Sequence, residues 1–368
     1  MKLSELVDGR DNNFNALRLL AALLVVFGHS WSLTASGPDP LNRLTGYAAG
    51  SAGLAVFFTI SGYLITRSAL ERRPGRFLYL RCLRILPALF VVTLFETFVV
   101  GPIFFERSVS EYFASRQSWG HLKNVTLYFG SFDIKGVFID NPLKGLNGST
   151  WTLPIEMTLY VAALLAATFG VLRARSMPFL LALCIGAYAY ARAKGLSFPD
   201  NVGPEVVNKV ALYPLALWGL FFCVGSSMWI YRERLEMSGG IACCAVLLLV
   251  VARSIWDVAF VGCFAYLTIY LAFAIRPIGF AGRRLGDIFY GVYVFAWPIQ
   301  QWAIATTPAC SNPWILAAVS IPVSMMFGVV SWNLVEKPAM RLRHLFADGL
   351  PRKSATPAGA NRPLAQTA

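Results

Sequence analysis

Ten apolar stretches follow one another along the chain, at residues 15–34, 51–68, 84–105, 149–172, 177–194, 208–231, 238–252, 255–275, 286–307 and 313–334. A helix crosses a bilayer with roughly 20 such residues, and tilt absorbs modest differences in length. Within lipid every backbone N–H and C=O must be bonded inside the protein, and runs of this length do so as helices. The pattern predicts an all-α integral membrane protein, a bundle of about ten transmembrane helices. Charged residues make up 14% of the sequence, against about 25% in soluble domains. The seventh and eighth stretches are parted only by a few polar residues around Arg253 and Asp257. The first stretch is too long for a signal-peptide core and no A-x-A cleavage site follows it, so it is read as a retained span.

Loop charge sets the orientation. With the N-terminus inside, 21 of the 32 Lys and Arg fall on cytoplasmic segments and ten on outer ones, with Arg18 inside the first span. This bias predicts both termini in the cytoplasm. The net charge of +13 then reflects anchoring beside anionic lipid, with no nucleic-acid partner. Three soluble pieces stand out: an arginine-dense cytoplasmic loop at 67–83, an outer loop at 106–148 long enough to cover a site, and a Pro/Ala-rich tail at 349–368. The tail is expected to be disordered and cytoplasmic, leaving 1–348 as one transmembrane domain. The seven cysteines include no CxxC and no Cys/His cluster, so no metal site is expected.

Ionisable residues inside a bilayer are costly and mark candidate sites. Arg18 and His29 share the first stretch, with His29 eleven residues further along, or roughly 16 Å at helical rise. His29 fits either a histidine bonded to a carbonyl or a base; Arg18 fits either a snorkelling cation or a ligand-binding one. Ser61-Gly62 in the second stretch serves helix packing or a polar site equally well. Arg81 and Arg84, three apart, share a helix face and suit either membrane anchoring or a phosphate clamp. Glu156, some six residues from the outer end of the fourth stretch, is expected at the depth of His29, as an acid/base partner or a structural ion pair. Glu336 at the end of the last stretch either pairs with Arg81 or Arg84 or lies in solvent.

These segments resemble membrane acyltransferase family 3, the family of O-antigen and nodulation-factor acetylases. The markers, in order, are Arg18 and His29, Phe57-Phe58-x-x-Ser61-Gly62-Tyr63-Leu64, Arg81-x-x-Arg84-Ile85-x-Pro87, Trp151-Thr152-Leu153-x-x-Glu156, and Val335-Glu336-Lys337-Pro338. The resemblance runs from about residue 12 to 343. It implies transfer of an acyl group, usually acetyl, from cytoplasmic acyl-CoA as co-substrate to a hydroxyl of an extracytoplasmic glycan or lipid-linked sugar, with no bound cofactor. It further implies His29 as catalytic base with Glu156 beside it. Arg18, Arg81 and Arg84 would bind acyl-CoA, and Ser61, Tyr160, Tyr293 and Glu336 would support the site. Many members carry a histidine where this chain has Ala296, which adds weight to His29. A transporter exporting a glycan without bond making is the main alternative, and a non-catalytic membrane scaffold a third.

Overall fold

The computed structural model describes residues 1–7, 12–196, 212–251, 257–274 and 286–345. The tail at 349–368 and the basic residues Arg10, Arg253, Arg276, Arg283 and Arg284 lie outside the described residues. Among those described the chain is helical, with two isolated bridges (Lys2 with Glu236, Phe105 with Val137) and no strand. The principal helices are α1 (Phe14–Leu33), α2 (Ala49–Glu71), α3 (Pro74–Phe95), α4 (Thr152–Thr168), α5 (Met177–Ala193), α6 (Leu212–Ile230), α7 (Gly239–Val251), α8 (Asp257–Phe273), α9 (Phe289–Thr306) and α10 (Pro313–Ser331). Six helical segments are long and apolar enough to cross a membrane; they contain α1, α2, α3, α4, α6 and α10.

Helix α2 lies at the centre, packed on α1 and α6 and touching α4 and α8, while α9 packs on α1 and α10. Small residues permit this. A Cβ on Gly62 would run into the backbone carbonyl of Phe222 on α6, and a Cβ on Gly225 would meet that of Thr59 on α2. The two glycines thus let two backbones approach where any side chain would part them. Gly62→Val should separate α2 from α6 and cost about 1–3 kcal/mol or more by overpacking. Gly50→Ala should be silent, because nothing stands within 4 Å of a Cβ at Gly50. Unfolding midpoints of the two detergent-purified variants give the comparison; equal midpoints would contradict the packing role.

Two sequence-based boundaries move. The cytoplasmic loop expected at 67–83 is almost wholly helical, because α2 runs to Glu71 and α3 starts at Pro74 rather than at 84. Proline at the first helical position is preorganised for a helix, and the Arg, Leu and Tyr that follow Gly75 sustain one. Arg76, Arg81 and Arg84 therefore lie along a helix. Further along, α3 passes into a π-turn at Glu96–Val100 before ending at Ile103.

The segment 106–148, expected as an outer loop, folds as a packed cap. It contains the short helices Val109–Ala114 and Arg116–Gly120 and a 3-10 turn His121–Thr126. Tyr112, Ile134, Val137, Phe138 and Leu146 form its own apolar core with Val100. Gln301 and Trp297 of α9 tie it down, the former donating to the carbonyls of Leu143 and Gly145 and the latter to that of Gly145. The α3 π-turn forms the base of this cap.

Candidate active site

A cavity of about 530 Å³ opens between α1, α2, α3, α4 and α9. Its floor carries Arg67, Arg72 and Arg81, and its far end is closed by Leu54, Thr152 and Tyr293. Along α2, Leu54 to Arg72 spans 18 residues, about 27 Å at helical rise. The lining includes Arg18, Ser61, Arg81, Arg84, Glu156, Tyr160 and Tyr293, so seven of the nine site residues expected from sequence meet in one space. Glu336 stands behind Arg84, and His29 lies outside the lining.

The arginines differ in their partners. Arg84 is held between two carboxylates, with Nη1 3.2 Å from Glu336 Oε2 and Nη2 3.0 Å from Asp287 Oδ2. Its guanidinium carbon also lies 4.8 Å from the centre of the Phe289 ring. Glu336 is buried, and its other oxygen accepts from Ser331 Oγ at 3.0 Å. Of the two pairings expected for Glu336, the structure makes the one with Arg84. Neither Arg18 nor Arg81 has a carboxylate within ion-pair distance among the described residues. Arg18 lies over Phe289 at 5.2 Å, Arg81 over Tyr160 at 5.9 Å, and the Arg81 Nε is buried without a hydrogen-bond partner. Two cations therefore face the cavity with aromatic rings as their main neighbours. Arg67 pairs with Glu71 at the exposed rim, where such a bridge contributes little.

Glu156 does not lie beside His29. It accepts a hydrogen bond from the Tyr160 hydroxyl one turn along α4, and its charge acts on Arg18, Arg84 and Arg81. The depth expected from counting six residues fails because the start of α4 is drawn into the bundle. Asn147 Nδ2 donates to Glu96 Oε1 at 2.5 Å and to the Val294 carbonyl at 2.9 Å, and a 3-10 turn, Gly148–Trp151, follows. Tyr293 pins that turn by donating to the Ser149 carbonyl at 2.8 Å, and its hydroxyl lies 2.7 Å from Thr152 Oγ1.

His29 lies one turn of α9 beyond the cavity. Tyr293 closes the cavity, and Trp297, four residues on, meets His29 edge to face at 4.8 Å between ring centres. Trp297 also fills the space a Cβ on Gly148 would need. The His29 Nδ1 atom is buried and has no hydrogen-bond partner, so the carbonyl-bonded histidine of the structural reading is not what is found. Ala296 packs in an apolar cluster with Ala22 and Val26 of α1.

Two acidic residues escaped the sequence reading. Asp287 flanks α9 on the side where topology gathers Arg84 and Glu336. Glu96 is the only acidic residue in the third stretch, and the rule that marked Glu156 applies to it equally. It is 1% exposed and lies in the π-turn, with Oε2 2.9 Å from His121 Nε2. His121, expected as a loop residue, is itself fully buried. Glu96, His121 and Asn147 tie the 106–148 cap to α3 and to the turn that opens α4.

The family model for acyltransferase 3, described as an acyltransferase domain, matches residues 11–332. An O-acetyl transferase of Shigella phage Sf6 is 29% identical over 346 residues, covering 89% of this chain and 96% of the relative. Nodulation protein 10 of Rhizobium leguminosarum bv. viciae is 25% identical over 362 residues, covering 91% and 95%. No solved structure matches. With its family model spanning nearly the whole chain, this protein belongs to acyltransferase family 3.

Proposed function

We propose that this acyltransferase moves an acetyl group from cytoplasmic acetyl-CoA to a hydroxyl of an extracytoplasmic glycan or lipid-linked sugar. In this reading ten helices cross the bacterial inner membrane and both termini lie in the cytoplasm. The observation that carries it is the pair Arg18 and Arg81, two cations lining a long cavity with no carboxylate paired to either among the described residues. Such a pair suits the phosphates of a nucleotide-bearing donor, which guanidinium groups bind with directed hydrogen bonds. The name of one relative, O-acetyl transferase, supports an O-linked acetyl transfer.

The pantetheine arm extends along α2 as far as Tyr293, and the Tyr293 side chain swings aside to admit the thioester to His29. The imidazole Nε2 removes the proton of the acceptor hydroxyl as its oxygen attacks the thioester carbonyl carbon. The C–O ester bond forms, the C–S bond breaks, and the CoA thiolate takes the proton from His29. Glu156 serves the donor end, where its bond with Tyr160 and the field of three arginines fix the cavity wall. Ser61 adds a hydroxyl to that wall.

Incubating the purified protein with radiolabelled acetyl-CoA and candidate glycans separates this reading from transport. Acetylated glycan and free CoA should appear in equal amounts. Glycan movement into vesicles with no release of CoA would overturn the proposal.

A further inference from the structure

Next to His29 lies a second buried polar side chain without a full set of partners. Gln300 of α9 is wholly buried. Its Nε2 donates to the Val26 carbonyl at 2.9 Å, and it lies 2.9 Å from Ser30 Oγ and 3.3 Å from Ser320 Oγ. Val26 precedes His29 by three residues and Ser30 follows it by one, so the amide grips the helical turn that carries the imidazole. The bond to a carbonyl fixes which end of the amide is NH₂. That leaves Oε1 as the acceptor, and it is buried with no partner.

Two orphaned atoms therefore lie on the packed pair α1 and α9, an acceptor on Gln300, whose amide bonds the turn that carries His29, and Nδ1 of His29 itself. A buried polar atom left unpaired is uncommon and calls for a reason. The two are chemically complementary when the imidazole carries its proton on Nδ1. Trp297, one turn before Gln300 on the same face of α9, meets the ring edge to face. Hydrogen bonds between catalytic groups are often open in a free enzyme and close when substrate is bound.

We propose that Gln300 is the positioning residue for His29: its Oε1 accepts the Nδ1–H of the imidazole, leaving Nε2 unprotonated towards the acceptor hydroxyl. This places a neutral amide where other base-activating sites use a carboxylate, so the ring is oriented and its tautomer chosen without a buried charge. The inference rests on His29 being the base, and it identifies what makes that histidine competent. Gln300 touches no reacting atom in this scheme and acts through His29.

Three measurements test it. In protein labelled with ¹⁵N-histidine, only three histidines give signals, and His29→Gln assigns the one of interest. His29 should show the Nδ1–H tautomer in bilayers with acetyl-CoA bound, and Gln300→Leu should lose it. The same Gln300→Leu variant should lower kcat by about 100-fold with the KM for acetyl-CoA unchanged. Gln300→Glu keeps an acceptor oxygen but loses the donor to Val26 and Ser30; it should retain most of kcat. If Leu and Glu are equally damaging, Gln300 only braces the helices and the proposal fails. An Nε2–H tautomer in the unaltered protein also overturns it. Full transfer by His29→Gln with the Nδ1–H tautomer confirmed would instead remove His29 as base, leaving the Gln300 bond intact.

Discussion

His29→Ala abolishes transfer of acetyl groups to glycan while the protein still inserts, accumulates and binds acetyl-CoA. A general base contributes about 10²–10⁴-fold, so residual turnover should fall by at least about 100-fold. The structure makes the separation of binding from chemistry sharp. His29 lies a turn of α9 away from the cavity, and the cations that line that cavity are on α2, α3 and the turn between them, or, as Arg18, eleven residues before His29 on α1. The KM for acetyl-CoA should therefore hold within about twofold, a change of less than half a kcal/mol. His29→Gln keeps more of the ring's contact with Trp297 and excludes a packing explanation. Steady-state kinetics on both variants, with glycan acetylation read by mass spectrometry, decide it. Either variant turning over at the normal rate would remove His29 from the mechanism.

The reach of sequence reading follows from what each signal depends on. Hydropathy reports burial over a whole turn or more, so each of the ten stretches overlaps a helix among the described residues, where six helical segments are long and apolar enough to cross a membrane. The start of α3 was missed because an arginine-rich segment reads as loop under the charge rule. The helix was signalled instead by Pro74 and the residues that follow. Residue types in order brought Arg18, Ser61, Arg81, Arg84, Glu156, Tyr160 and Tyr293 to one cavity. Relative depth was less legible. It depends on where a helix truly begins, and α4 begins inside a turn drawn inward by Asn147, Glu96 and the Val294 carbonyl. Partner choice was illegible for a different reason. Arg81 and Arg84 are equivalent by spacing, and only the fold brings Glu336 and Asp287 to one of them.

That asymmetry should divide the two arginines completely. Arg84→Ala leaves Glu336 and Asp287 facing each other without a cation, and Glu336 is 1% exposed. Breaking a buried pair by removing one partner costs about 3–5 kcal/mol, because the remaining charge has nowhere to go. The variant should unfold at a distinctly lower temperature in detergent and accumulate poorly in membranes. Replacing all three groups together, as Arg84→Leu with Glu336→Gln and Asp287→Asn, removes the stranded charges and should recover most of that stability. Arg81→Ala strands no carboxylate, since none among the described residues is paired with it. It should unfold normally and instead raise the KM for acetyl-CoA. Loss of hydrogen bonds from a charged group costs about 1.5–3 kcal/mol, which corresponds to a rise of about 10- to 150-fold. Thermal unfolding and acetyl-CoA saturation curves on the two single variants are the required measurements. A destabilised Arg81→Ala with normal affinity, or a stable Arg84→Ala with weak affinity, would reverse the assignment. The expected division follows from electrostatics alone: a cation already balanced by two carboxylates holds the protein together, and one left unbalanced beside a cavity is available to a ligand.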